Sequence, residues 1–447
     1  MIAQAVPEAP QLALLTTRIH RQIIEAMDLA RAAQLSEEEL RQQLEALAVH
    51  LCAKSDAELA GEEKDDLVQR IMDEIYGLGP LEPLMRDSEV TEILVAGPNT
   101  VRAERHGRVE TTPICFANED HLLQFIHRTV AKFGRRIDES SPIAEVQLDD
   151  GSIMSAVLPP VAINGPTISI RRLAARRLRL EDMVRLGSLT SQIADFLVAA
   201  IANRCNILFS GGSGAGKTTL LNNVSRFIPD GQRVATIEDT AELSLQNPDV
   251  ISLQTRLPNV EGSGGVAAAD LIRHAVRMRP DRLILGQLRG GEALDMLQAM
   301  NTGHRGSMGT VHSNDAADAL EQMELMASLS GEDRNLDGIR RYIAKAVDFI
   351  VHIERLSTGE RKVTRVSELR GLYDGAYACE DIFVYRGAGL DDPFKAAGSF
   401  FATGYEPLSL KSGVGTILTA KQYRELFIPR ELNTGNNYEP IELSNQP

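Results

Sequence analysis

The run Asn206-Ile-Leu-Phe-Ser210, Gly211-Gly-Ser-Gly-Ala-Gly-Lys-Thr218, Thr219-Leu-Leu-Asn222 decides the fold class. An apolar, strand-like stretch enters a glycine-rich loop of spacing GxxxxGK[ST], and a helical pattern leaves it, which is the context a phosphate-binding loop requires. Glycines let successive backbone N–H groups converge on phosphate oxygens, and the helix N-terminus adds partial positive charge. In this reading Gly211, Gly212, Ser213, Gly214, Ala215, Gly216, Lys217, Thr218 and Thr219 cradle a nucleotide, ATP. Lys217 reaches the β and γ phosphates, and the Thr218 hydroxyl ligates Mg2+.

Downstream, the chain offers the acidic groups that a nucleotide hydrolase needs. Val234-Ala-Thr-Ile237 runs into Glu238-Asp239-Thr-Ala-Glu242, a carboxylate cluster at the end of an apolar run where a base can sit. Arg282-Leu-Ile-Leu-Gly286 has the character of a strand beside the phosphate-loop strand, and a carboxylate is expected directly after it. The residue there is Gln287.

Strand and helix patterns alternate around these motifs, predicting an α/β domain with a largely parallel sheet over 191–365. Ahead of it, short β-rich runs at 92–96, 102–110, 144–148, 153–158 and 167–171, one amphipathic helix near 121–132 and an Asp149-Asp-Gly151 hairpin signal predict an α+β domain over 61–175. That domain opens on a charge-rich link, Gly61-Glu-Glu-Lys-Asp-Asp66, and a helix that stops at Gly77-Leu-Gly-Pro80. Residues 1–60 read as a helical arm, with Ser36 and Glu39 spaced as a capping box before Leu40, Leu44, Leu47 and Leu51. Arg171, Arg172, Arg176, Arg177, Arg179 and Arg185 crowd a linker assigned to 176–190. That cluster suits a solvated hinge, or contact with phosphate or anionic lipid. Residues 366–432 form a C-terminal extension, in which Tyr373, Tyr377, Phe383 and Tyr385 are expected to make a small core, and 433–447 a disordered tail.

Composition narrows the function classes. The 447 residues carry 47 Lys and Arg against 62 Asp and Glu, a net charge of −15, and without a broad positive field no nucleic-acid partner is expected. Aromatics at 4%, with no Trp, argue against stacking platforms for single strands. Cys52, Cys115, Cys205 and Cys379 are too dispersed for a metal knuckle and read as reduced thiols, most of them in the core. No run reaches the roughly 18 apolar residues of a membrane-spanning helix. The first residues, with Pro7, Glu8 and Pro10, lack the basic start of a secretory signal, so a cytoplasmic placement is expected.

Further motifs carry a resemblance. Leu271-Ile-Arg-His-Ala-Val-Arg-Met-Arg-Pro-Asp281, Gly286-Gln-Leu-Arg-Gly-Gly-Glu-Ala293, Met300-Asn-Thr-Gly-His304 and Gly309-Thr-Val-His-Ser-Asn314 resemble the type II/type IV secretion ATPase superfamily, and more narrowly the CpaF-type ATPases of Tad (Flp) pilus assembly. The likeness runs from about Ile19 to Pro407 and includes Gly77-Leu-Gly-Pro-Leu81, Ile137-Asp-Glu-Ser-Ser-Pro142 and Ala402-Thr-Gly404. The resemblance implies a RecA-like P-loop NTPase core behind an α+β N-terminal domain. It also implies a hexameric ring peripheral to the cytoplasmic face of the bacterial inner membrane, where ATP hydrolysis turns a membrane platform protein. It further implies that Glu238 is the water-activating base, with Asp239 and Glu242 beside it. Gln287 then occupies the Walker B carboxylate position at the metal, and His304 and His312 flank a histidine box that senses the γ-phosphate.

The family's arginines in the β-rich domain fall at Gln147 and Ile153, and another at Ala269. Gln287 cannot accept a proton, a loss on the scale of roughly 10² to 10⁴ in rate if that position acts on the attacking water. Gln287 alone would fit an engineered trap of bound ATP, but an engineer would rarely also change Gln147, Ile153 and Ala269; the set fits a divergent copy that hydrolyses slowly or not at all, or a site in which Arg171, Arg172 or Arg277 supply the missing charge. The functions implied are therefore a pilus-assembly motor, a nucleotide-binding structural or regulatory subunit, or a type IV secretion traffic ATPase.

Overall fold

The computed structural model describes residues 61–105, 107–172, 178–256, 263–330, 335–387, 398–411 and 420–432, with seven positions between 38 and 50. Apart from those seven, the expected arm over 1–60 lies outside the described residues, as does the tail 433–447. The chain divides into two compact units, 1–176 and 177–447.

In the first unit, helix α1 (Gly61–Tyr76) begins at the charged run itself, so Gly61 to Asp66 is helix and not a link. Glu and Lys are good helix formers, and Asp66 pairs with Arg70 one turn on. After a 3₁₀ turn and the short α2 (Glu82–Arg86) come β1 (Val90–Ala96), β2 (Val101–Arg105), β3 (Arg108–Thr111), α3 (Glu119–Lys132), β4 (Ile143–Gln147), β5 (Ile153–Val157) and β6 (Thr167–Arg171). The run read as one strand over 102–110 is two, folded back through Gly107 at positive φ. All six strands pair antiparallel in the order β3-β2-β1-β6-β5-β4. Alternate residues (Ile93 and Val95, Met154 and Ala156, Ile168 and Ile170) enter one core with Leu122, Phe125 and Ile126 of α3, as a period of two requires.

The second unit begins with α4 (Leu180–Arg185), which buries Leu180, Met183 and Val184; the segment read as a linker is partly core. Then follow α5 (Ser191–Ala202), β7 (Ile207–Gly211), α6 (Lys217–Ser225), β8 (Val234–Glu238), β9 (Val250–Gln254), α7 (Ala268–Arg277), β10 (Arg282–Leu288), α8 (Glu292–Asn301), β11 (Met308–His312), α9 (Ala316–Ser328), α10 (Leu336–Ala346) and β12 (Phe349–Arg355). A parallel block runs β12-β7-β11-β10-β8-β9. This is the RecA-like core. One expectation is corrected: β11, not β10, lies beside the phosphate-loop strand, and β10 is one strand further out. The sheet is buried on both faces, Ile207, Phe209, Ile284 and Val351 on one and Leu208, Leu283, Leu285 and Ile350 on the other. Double burial explains why these strands read as continuous apolar runs.

The extension is no separate domain. β13 (Arg361–Tyr373), β14 (Ala376–Gly387), β15 (Gly398–Ala402) and β16 (Arg430–Leu432) continue the same sheet antiparallel from β12, with α11 (Leu408–Lys411) and α12 (Ala420–Phe427) beside them. A boundary at 365/366 falls inside β13. Phe383 and Phe427 pack at 5.6 and 6.3 Å from Phe196 of α5, while Tyr373 is 76% exposed and outside any core. Cys205 is buried, but Cys379 is exposed. Among the described residues, no helix is long and apolar enough to cross a membrane.

Candidate nucleotide site

The phosphate loop leaves the carboxyl end of β7 and enters α6 at Lys217. Gly211 starts the turn at φ +148, and a Cβ there would lie 2.1 Å from the Ile353 carbonyl oxygen of β12, so no other residue fits. Lys217 Nζ donates to the carbonyls of Gly211 at 2.8 Å and Gly212 at 2.7 Å, which holds the ammonium at the loop. Ala215 is buried beneath the loop, Ser213, Gly214 and Thr219 are exposed, and Thr218 is half-buried on the first turn of α6.

Two residues absent from the sequence reading join this loop. Arg361, opening β13, donates through Nε to the Gly214 carbonyl at 2.9 Å, and the Arg355 guanidinium, ending β12, lies 3.6 Å from where a Gly214 Cβ would stand. Their nearness follows from the parallel pairing of β12 with β7, His352 opposite Ser210, which no motif in the sequence announces.

Glu238 ends β8 and is buried. Its Oε1 accepts the backbone N–H groups of Glu242 at 3.0 Å and Leu243 at 2.9 Å. Burial outweighs those two donors and pushes its pKa up to about 7. The carboxylate side chain overlies Gly286 of β10, where a Cβ would stand 2.9 Å from Glu238 Cγ. Asp239 is exposed, accepts from Thr255 Oγ1 at 3.1 Å and faces Arg289 at 3.4 Å. Gln287, half-buried on β10, accepts from Arg289 Nη2 at 2.7 Å. His312 ends β11 directly opposite Gly211.

The structure therefore gathers the loop, Glu238, Asp239, Glu242, Gln287 and His312 at the carboxyl ends of parallel strands, where ligands bind in open α/β sheets. His304 is not among them. It precedes β11 and bonds back to Ala299 of α8 at 3.3 Å, with a strand about 13 Å long between it and His312. Within the first unit, Arg172 Nη1 donates to the Leu84 and Val90 carbonyls at 3.3 and 3.1 Å and to that of Asp87, bracing that unit's backbone. Arg277 closes α7, which delivers the chain to the amino end of β10. Arg171 sits directly opposite Ile153, and Ile153 opposite Gln147, so one row of the first sheet holds all three.

The donors suit Mg2+. That ion keeps several waters and takes one or two protein oxygens plus substrate phosphates, and Thr218 stands where the loop enters its helix. Among the described residues no group of three or more His, Cys, Asp or Glu could hold a metal unaided.

A model of the family described as "Type II/IV secretion system protein" matches residues 74–388. A putative conjugal transfer protein of Mycobacterium tuberculosis is 35% identical over 303 residues, 66% of this chain and 86% of that protein. The type IV secretion system protein VirB11 of Bartonella henselae is 32% identical over 328 residues, 65% of this chain and 91% of its own. Among solved structures, the VirB11 ATPase of Brucella suis, in complex with sulphate, is 29% identical with a TM-score of 0.36, covering 65% of this chain and 96% of that one. The pilus retraction motor PilT with bound ADP is 17% identical with a TM-score of 0.45, covering 68% and 81%.

Proposed function

Because the chain belongs to the type II/IV secretion system protein family, we propose that it is the ATP-hydrolysing motor of a type IV secretion or conjugal-transfer machine. In this reading it acts as a ring of copies, six by family resemblance, against inner-membrane partners on the cytoplasmic face. The observation that carries the catalytic part is a phosphate loop with Lys217 at the end of β7 and a buried Glu238 at the end of β8, in one sheet. The loop's N–H groups and Lys217 bind the triphosphate. Thr218 and the phosphates would hold Mg2+, which neutralises charge on the β and γ oxygens when bound. Glu238, with its pKa near neutrality, takes the proton of the attacking water. The pairing of His312 opposite Gly211 supports its role as the γ-phosphate sensor in this reading. Arg171, paired opposite Ile153, is a cation in the row where the family carries arginines.

Relatives named for conjugal transfer and type IV secretion are 31 to 35% identical over 86 to 91% of their length, which favours that machine over a Tad (Flp) pilus. Two measurements test the proposal. Purified chain should turn over ATP, and a Lys217→Ala variant should lose both nucleotide binding and turnover. A host strain deleted for the gene should lose secretion or conjugal transfer while keeping its pili. Loss of pili alone would assign the chain to the pilus machine, and wild-type ATP binding by the Lys217 variant would sink the nucleotide-site assignment.

A further inference from the structure

The neutral residue at position 287 has a defined orientation. Arginine carries only donors, so the atom that Arg289 Nη2 meets at 2.7 Å must be the amide oxygen of Gln287. The NH2 of the same amide is thereby committed to the side away from Arg289. Arg289 is itself held. Its Nη1 faces Asp239 Oδ2 at 3.4 Å, and Asp239 accepts from Thr255 Oγ1 at 3.1 Å. Its backbone N–H donates to Glu292 Oε1 at 2.6 Å, an oxygen that also takes the Gly290 N–H at 2.8 Å on the way into α8. A chain of polar contacts, Thr255–Asp239–Arg289–Gln287, thus crosses the carboxyl ends of β9, β8 and β10. Glu238 lies over Gly286, one residue from Gln287.

We propose that Arg289 is a positioning residue that locks the Gln287 amide so that its NH2 orients the water attacking the γ-phosphate. Gln287 then works as an orienting donor in place of a Walker B carboxylate. The inference rests on the proposed ATP hydrolysis. The water oxygen bonds to the γ-phosphorus as the bond from that phosphorus to the β–γ bridging oxygen breaks. The electron pair leaves with ADP, and the water's proton passes to the Glu238 carboxylate. Gln287 gains and loses no proton, and a glutamine orients the attacking water in other P-loop enzymes. Without Arg289 the amide can rotate and present its oxygen, an acceptor, to the same water.

The test is a double-mutant cycle on the full chain, with kcat, KM for ATP and ATP affinity measured for wild type, Arg289→Met, Arg289→Lys, Gln287→Ala and Gln287→Ala with Arg289→Met. Arg289→Met should lower kcat about tenfold or more with KM changed less than twofold, since positioning acts on the chemical step. Arg289→Lys should recover only part of the loss, because an ammonium cannot span Gln287 and Asp239 as the planar fork does. In the Gln287→Ala background Arg289→Met should cost nothing further. An equal loss in both backgrounds, an unchanged kcat, or a raised KM at constant kcat would each overturn the proposal. Wild type that binds ATP without any turnover would also overturn it while sparing the nucleotide-site assignment. Absence of ATP binding would instead remove the proposed function on which it rests. ATP affinity serves as the control for folding in every variant.

Discussion

At the residue scale, Glu238 is where sequence and structure divide most instructively. Taken as bare residues, Glu238, Asp239 and Glu242 are three carboxylates in five positions, among which only the family resemblance singles out Glu238. Burial supplies a physical ground for that choice. Asp239 points to solvent and pairs with Arg289, while Glu238 is removed from water and its pKa rises from 4.5 to about 7. A base must be ionised to work, so kcat/KM should climb with pH through about 7 and level above it. Glu238→Gln should abolish that limb and lower kcat by roughly 10² to 10⁴. Stability moves the other way. A folded pKa raised above the unfolded one stabilises below about 4.5, and that contribution is lost as pH rises through 7. Above pH 7, Glu238→Gln should therefore melt at a higher temperature than wild type, because no buried charge has to form. Equal melting temperatures across pH 5 to 9 would show that Glu238 titrates normally.

At the element scale, the β12–β13 turn is the unanticipated part of the site. Motifs flagged β7, β8, β10 and β11 because each carries its chemistry in adjacent residues. Arg355 and Arg361 carry no such signature, and only the pairing of β12 with β7 puts them on the loop. Arg361 ties the Gly214 carbonyl to the start of β13 and so braces the loop from the sheet side. A hydrogen bond from a charged donor contributes about 1.5–3 kcal/mol, and exposure of both partners reduces that. Arg361→Ala should thus weaken ATP binding by about three- to tenfold, measured by titration with a fluorescent nucleotide, and unchanged affinity would show that the loop holds its shape without it. Strand type and helix periodicity were legible throughout the core. The turn at Gly107 and the helical charged run at 61–66 were not, since a two-residue reversal and an all-polar first turn lack any apolar period.

At the scale of the whole molecule, the second unit is one compact body whose sheet runs unbroken from the parallel block into β13 to β16. The parallel block would end on an open edge at β12, and the extension covers that edge while its aromatic side chains close the core around Phe196. Truncation after residue 365 should therefore yield aggregated protein and not a smaller active ATPase, since it cuts β13 and exposes an edge strand. Phe427→Ala, a milder version, should cost about 3–5 kcal/mol, read from chemical denaturation. A stable, nucleotide-binding fragment ending at 365 would mean that the extension is dispensable.

The sequence by itself determined the phosphate loop, the strands and helices around it, the acidic cluster and the neutral residue at 287, because each depends on neighbours in the chain and on a local period. Tertiary structure alone decided that β11 separates β10 from the loop strand, and that His312 reaches Gly211 while His304 stands a strand away. It also decided that Arg172 braces backbone and that Arg361 and Arg289 hold the groups flanking the site. Those outcomes rest on strand order, register and burial, which are set by contacts between residues far apart in sequence.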